Sequence, residues 1–95
     1  SDFQKSERDF AFVLNKNFKV QELIEIIYSV DRDLIKSVKV FDVYQGDAVA
    51  KGKKSVALGL ILQESSRTLT DQEADQVVTA VGEALKNEFG AQIRD

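Results

Sequence analysis

Two hydrophobic periods alternate along this chain. From Asp9 to Leu14, Phe10, Phe12 and Leu14 alternate with Asp9, Ala11 and Val13, a period of two that predicts a strand. Val20, Leu23, Ile24, Ile27 and Tyr28 then fall on one helical stripe, which Asp31-Arg32-Asp33 ends. Ile35 to Tyr44, dense in Val and Phe, reads as a second strand, and Ser55 to Gln63 as a third. Between them, Gln45 to Lys53 holds Gly46 and Gly52 in a hairpin-like connection. Thr70-Asp71-Gln72-Glu73 is a capping box, in which a hydroxyl and a carboxylate satisfy the free N–H groups of a helix start. Ala74, Val77, Val78, Val81, Leu85 and Phe89 continue that helix at helical spacing; Gly90 is placed to stop it, and Ala91 to Arg94 forms a short last strand. The order βαββαβ predicts an α+β, ferredoxin-like sandwich, with a four-stranded antiparallel sheet and two helices on one face.

Strict alternation along each strand sorts the sheet into two faces. Phe10, Phe12 and Leu14 should meet Val56, Leu58, Leu60 and Leu62 under the helices. The open face should carry Asp9, Ala11 and Val13, then Ser55, Ala57, Gly59 and Ile61, then Val38, Val40, Asp42 and Tyr44, with Gln92 and Arg94 at the end. The helix-facing set is bulky, whereas Ala11, Ser55, Ala57 and Gly59 leave a low floor with Tyr44 at its rim. An exposed ring beside a carboxylate and a hydroxyl is how a sheet holds an unstacked base. Packing of the floor against another protein domain is the competing explanation.

Composition narrows the chemistry. With 95 residues the chain is one domain, 1–95, and it contains neither cysteine nor histidine. Disulfides and thiolate metal sites are thereby excluded, and the usual general base and the commonest metal ligand are missing. No catalytic or metal-binding residue is assigned, and hydrolase, transferase and zinc readings are disfavoured. The net charge of −3 argues against a grip on nucleic acid by bulk electrostatics, though not against a module that reads a few bases. No apolar run approaches the roughly 20 residues of a membrane helix, and no signal-peptide pattern opens the chain. Methionine is absent even at position 1, so a fragment of a longer protein, or a processed product, is expected.

Five ordered motifs carry a family resemblance over nearly the whole chain. They are Arg8-Asp9-Phe10-Ala11-Phe12, Phe41-Asp42-Val43-Tyr44, Lys53-Lys54-Ser55, Thr68-Leu69-Thr70-Asp71-Gln72-Glu73 and Phe89-Gly90-Ala91-Gln92-Ile93-Arg94. Together they resemble the C-terminal ferredoxin-fold anticodon-binding domain of the phenylalanyl-tRNA synthetase beta subunit. The resemblance implies docking on the anticodon stem-loop of the phenylalanine tRNA, whose anticodon is GAA, with the first base received by this domain. Tyr44 would stack on that guanine, Asp42 would accept from its ring N–H or amino group, Ser55 would add a hydrogen bond, and Ala11 would keep the floor low. The sequence departs from the family at Gln4, where proline is common, a change in the lead-in segment away from these four residues.

The resemblance also implies a parent assembly. The domain would hold no cofactor, while the parent, a phenylalanine–tRNA ligase of the cytoplasm, would use ATP and magnesium. A catalytic alpha subunit would complete an alpha2-beta2 enzyme, with no membrane partner. Lys51, Lys53 and Lys54 stand where they could meet phosphates or simply form a solvated turn. Arg94 could reach the RNA backbone or pair with Asp9, and Arg8 with Asp9 could be an exposed strand-end ion pair worth little. Tyr44 could pack on its own hairpin, and Ser55 could bond the hairpin backbone. The alternatives from other classes are a protein-interaction domain and an amino-acid-binding regulatory domain of the same topology. The latter usually has a glycine-rich turn after the first strand, where this chain has Asn15-Lys16-Asn17. An acylphosphatase-like enzyme would need a phosphate-cradling loop there, and this loop contains no glycine and no arginine.

Overall fold

A computed structural model of the chain describes residues 4–93. Its elements are β1 (Ser6–Asn15), α1 (Val20–Val30), β2 (Ile35–Tyr44), β3 (Lys53–Leu62), α2 (Asp71–Phe89) and β4 (Gln92–Ile93). The strands lie in the order β2-β3-β1-β4, each pair antiparallel. This is a ferredoxin-like α+β fold. β1 starts three residues before the alternation begins, because Ser6 pairs with Leu62 at the far end of β3. β3 likewise takes in Lys53, which pairs with Asn15. β4 is two residues long as described, and Arg94 lies outside the described residues.

The core fills the space between sheet and helices. Phe12 and Leu14 of β1 meet Val56, Leu58, Leu60 and Leu62 of β3, covered by Leu23 and Ile27 of α1 and by Ala74, Val77, Val81 and Leu85 of α2. Phe10 and Phe12 stand edge to face with ring centroids 4.9 Å apart. In α1 the buried stripe begins at Leu23; Val20, which the periodicity included, is exposed. Tyr28 keeps its ring against the core and its oxygen accepts from the Val38 N–H at 3.2 Å, tying α1 to the sheet edge.

α2 is closed at both ends by chemistry legible in the sequence. The Thr70 hydroxyl accepts from the Glu73 N–H at 3.1 Å, and the Glu73 carboxylate accepts from the Thr70 N–H at 3.0 Å. Arg67 forks onto the same carboxylate and, with the Thr70 N–H, holds its pKa down to about 2. At the other end Gly90 adopts φ 64°, a left-handed turn open to glycine, and its N–H reaches the carbonyls of Leu85 and Lys86. Arg8 does not face Asp9. Neighbouring strand residues point to opposite faces, and Arg8 instead reaches α2, with Nη2 3.2 Å from Asp71 and Nε 3.2 Å from Asp75.

Strict alternation fails in β2. Val40 pairs with Leu58 and Asp42 with Ala57, so Phe41 is an extra residue with no partner of its own. A second irregularity lies between Ile35 and Ser37. A bulge inserts one residue into one strand, so it reverses parity between the segments on either side. Asp42 and Tyr44 face the open side, as expected. Val38 and Val40, expected beside them, lie on the helix side opposite Leu60 and Leu58 and pack against the core. In their place Ser37 and Lys39 share the open face with Ile61 and Gly59.

Candidate nucleic-acid interface

The registers arrange the open face as a grid. One row runs Tyr44, Ser55, Val13 and Gln92, and the next runs Asp42, Ala57, Ala11. A third row holds Lys39, Gly59 and Asp9. Strands lie about 4.8 Å apart and same-face neighbours about 7 Å apart along a strand, so the first two rows fit within one base-sized patch. Ala11, Asp42, Tyr44, Ser55, Ala57 and Ala48 line one depression there.

Ala48 is the residue that sequence reasoning missed. It belongs to the connection between β2 and β3, which folds back because Val49 is buried, at 8% exposure, and its N–H bonds the Gly46 carbonyl at 3.0 Å. The apolar run Ala48-Val49-Ala50 inside the connection is the signal that could have found it. The connection is further pinned by the Lys16 N–H to the Gly52 carbonyl at 3.1 Å. Gly52 itself has φ 82°, which side chains other than glycine rarely adopt.

Tyr44 stands at the rim, 40% exposed. Its hydroxyl end rests on Gly46: a Cβ at that position would lie 2.5 Å from the Tyr44 oxygen. The ring therefore packs on its own hairpin and still presents surface. Ser55 is set into the floor at 4% exposure, while Asp42 is exposed at the sheet edge. Lys53 shares the parity of Ser55, and its Nζ donates to Asn15 Oδ1 at 2.7 Å. Lys54 pairs with Leu14 and takes the opposite parity, so the two lysines diverge across the sheet. Lys51 is exposed in the connection.

The groups gathered in the depression are a phenol ring, a carboxylate and a hydroxyl over a floor of alanines. They suit a flat guest with a hydrogen-bond donating edge. No three metal-ligating side chains cluster among the described residues, and no described helix is long and apolar enough to cross a membrane.

The sequence profile of the ferredoxin-fold anticodon binding domain matches residues 1–94. The chain belongs to that family. Among its relatives, the phenylalanine–tRNA ligase beta subunit of Nitrosospira multiformis is 39% identical over 94 residues, 99% of this chain and 12% of that protein. The subunit of the same name from Bradyrhizobium diazoefficiens is 38% identical over 94 residues, and that of Shewanella oneidensis 38% over 95. This ferredoxin-fold anticodon-binding domain thus spans 12% of the length of these relatives. Among solved structures, a de novo designed protein, Ferredog-Diesel, aligns with 97% of this chain and 85% of its own at a TM-score of 0.42 and 15% identity, too slight a likeness to carry an argument.

Proposed function

We propose that this chain is the anticodon-reading domain of a phenylalanine–tRNA ligase beta subunit, and that its depression receives the first anticodon base, a guanine. The observation that carries this reading is the convergence of Ala11, Asp42, Tyr44 and Ser55 on one depression of the open sheet face. A base entering there stacks on Tyr44, an interaction worth about 1–3 kcal/mol. Its Watson–Crick edge then meets Asp42. Guanine presents N1–H and N2–H₂ donors to that carboxylate, whereas adenine would set the N1 lone pair against it. A paired contact of this kind discriminates by roughly 1–3 kcal/mol. Ser55 supplies a hydroxyl on the floor, and Ala11 and Ala57 leave height for the ring.

Phosphates are assigned to Lys53 and Lys54, and to Arg94 beyond the described residues. Lys53 shares the face of the depression, whereas Lys54 takes the helix-side parity, so in this reading Lys53 is the nearer phosphate contact and Lys54 could act only around the end of β3. With a net charge of −3, stacking and edge recognition supply most of the affinity of the isolated chain. Phenylalanine attachment itself belongs to the parent enzyme: ATP, magnesium and the catalytic alpha subunit of an alpha2-beta2 assembly act elsewhere, in the cytoplasm. No ATP or magnesium step involves this chain's residues.

The test is a titration of the isotope-labelled chain with a phenylalanine anticodon stem-loop, followed by amide shifts at low salt. Shifts centred on Ala11, Asp42, Tyr44 and Ser55, weakened by Tyr44→Ala and by changing the first anticodon base, are the expected result. Shifts confined to the lysines at 51, 53 and 54, indifferent to the base, would reduce the interaction to charge contact and overturn base reading.

A further inference from the structure

The open face carries a second aromatic position that the depression at Tyr44 does not use. Phe41, the bulge residue, is 56% exposed, the most exposed large hydrophobic side chain among the described residues. Its ring reaches back over Gly59: a Cβ at that position would lie 2.6 Å from Phe41 Cε2, 2.8 Å from Cζ and 2.9 Å from Asp9 Oδ1. The glycine thus lets the ring and the Asp9 carboxylate share one spot on the floor. Lys39 Nζ stands 5.5 Å from the ring centroid. Phe41, Gly59, Lys39 and the two carboxylates Asp9 and Glu7 line a concavity on the same sheet face, one row beyond Asp42.

We infer that this patch holds a second, unstacked nucleotide of the same RNA strand, one whose base carries an exocyclic amino group. The inference rests on the reading above for the identity of the RNA. Four observations select this occupant. The patch is continuous with the depression on one face. It combines an aromatic surface with a cation on a flexible stem, the pairing that single-stranded nucleic acid uses. Its carboxylates, Asp9 beside the ring and Glu7 one same-face position further along β1, accept and cannot donate, so they select an amino group over a carbonyl. Its distance is also suitable: Ser55 and Gly59 are four residues apart on β3, about 14 Å. That is several times the 3.4 Å stacking step, so the second base is splayed away from the first rather than stacked on it. In the complex the base lies against Phe41, its amino group donates to Asp9, and Lys39 turns to the phosphate.

The test uses the full chain and an anticodon stem-loop with adenosines following the guanine, each replaced in turn by purine riboside, which lacks the amino group. Dissociation constants are measured for the parent chain and for Phe41→Ala, Phe41→Leu, Asp9→Ala and Tyr44→Ala, with amide spectra reporting that each variant is folded. Phe41→Leu keeps an apolar side chain and removes only the aromatic face. Both Phe41 variants are expected to weaken binding about 5-fold or more. One purine riboside position should weaken binding to the parent chain but not to Asp9→Ala. Loss at Tyr44→Ala with both Phe41 variants within twofold of the parent would overturn this inference and leave the first site standing. Loss at Phe41 with no purine riboside penalty would overturn the assignment of an amino-bearing base. No loss at either aromatic would remove both sites together.

Discussion

Gly46 offers a way to test the proposed role of Tyr44 by moving its ring without touching its chemistry. The glycines with positive φ are Gly52 and Gly90, so alanine at position 46 meets no backbone conformation that side chains avoid. By restricting the unfolded chain it even favours folding by about 0.4–1 kcal/mol. Against this, its Cβ would sit 2.5 Å from the Tyr44 oxygen and 2.9 Å from Cζ. Unstrained heavy-atom contacts between carbons lie at roughly 3.5–4.0 Å, so the end of the ring must shift by about 1 Å. These atoms are the free end of a side chain that is 40% exposed, so the ring swings and the hairpin stays. The two effects on stability oppose each other, and the net change should remain below about 1 kcal/mol, or roughly 4–8 °C in Tm for a domain of this size. Binding has no such compensation. Stacking at about 1–3 kcal/mol depends on where the ring lies, and a loss near 1.4 kcal/mol makes Gly46→Ala about tenfold weaker for the stem-loop. Thermal unfolding and anisotropy titrations of Gly46→Ala, Tyr44→Ala and the double variant measure both quantities. The double variant should bind no more weakly than Tyr44→Ala, because the alanine acts only through the ring. Full affinity in Gly46→Ala, or losses that simply add, would refute the reasoning.

Three further outcomes are expected. Asp42→Asn should lower the preference for guanine over adenine at the first anticodon position by about tenfold, read from the ratio of dissociation constants, since an amide can offer a donor to adenine N1. Leu58→Ala, at the fully buried centre of β3, should cost about 2–5 kcal/mol in urea unfolding and leave specificity unchanged in whatever fraction stays folded. The pKa of Glu73 is lowered to about 2 in the folded chain, chiefly by Arg67. Between the ordinary carboxylate value and about 2 the unfolded chain therefore binds the extra proton, and stability falls as pH drops through that window. Glu73→Gln, which keeps a capping-box side chain, should be less stable than the parent at pH 6 and converge with it near pH 2. Parallel curves would deny the carboxylate that role.

The elements were legible where the signal is local. A capping box needs only Thr70 and Glu73 at a fixed spacing, and a left-handed stop needs only Gly90, so α2 could be bounded from the sequence. The helix-facing strand residues were legible because Phe12, Leu14, Leu58, Leu60 and Leu62 repeat with period two. The bulge at Phe41 was not. Nothing in Val40-Phe41-Asp42 distinguishes an inserted residue from a paired one, since pairing is decided by β3, which lies beyond the connection. Parity counted from Tyr44 therefore held for Asp42 and failed for Val40 and Val38. The reach of Arg8 to Asp71 and Asp75 was hidden for the same reason: it joins groups more than sixty residues apart. Ala11, Asp42, Tyr44 and Ser55 could be placed on one face because β1, the central part of β3 and the end of β2 obey simple alternation. Ala48 and the Phe41 patch depend on a folded-back connection and a bulge, which only the assembled sheet reveals.

The irregular backbone of β2 bears on more than the direction of its side chains. β2 is the long outer strand of the sheet, with the short β4 on the opposite edge, and its last residues expose Phe41, Val43 and Tyr44. A long, regular outer strand with such side chains is a template on which a second copy can add its own strand. The extra residue at Phe41 interrupts the even row of N–H and C=O groups along that border, the irregularity near Ser37 interrupts it again, and the Val38 N–H is already taken by the Tyr28 oxygen. Interruptions of this kind disfavour the addition of a second copy's strand along an aromatic-rich border. Deleting Phe41 would remove one of these two interruptions and leave regular pairing from Ser37 to Tyr44, and such a chain should form more concentration-dependent dimers or larger aggregates in sedimentation experiments than the parent.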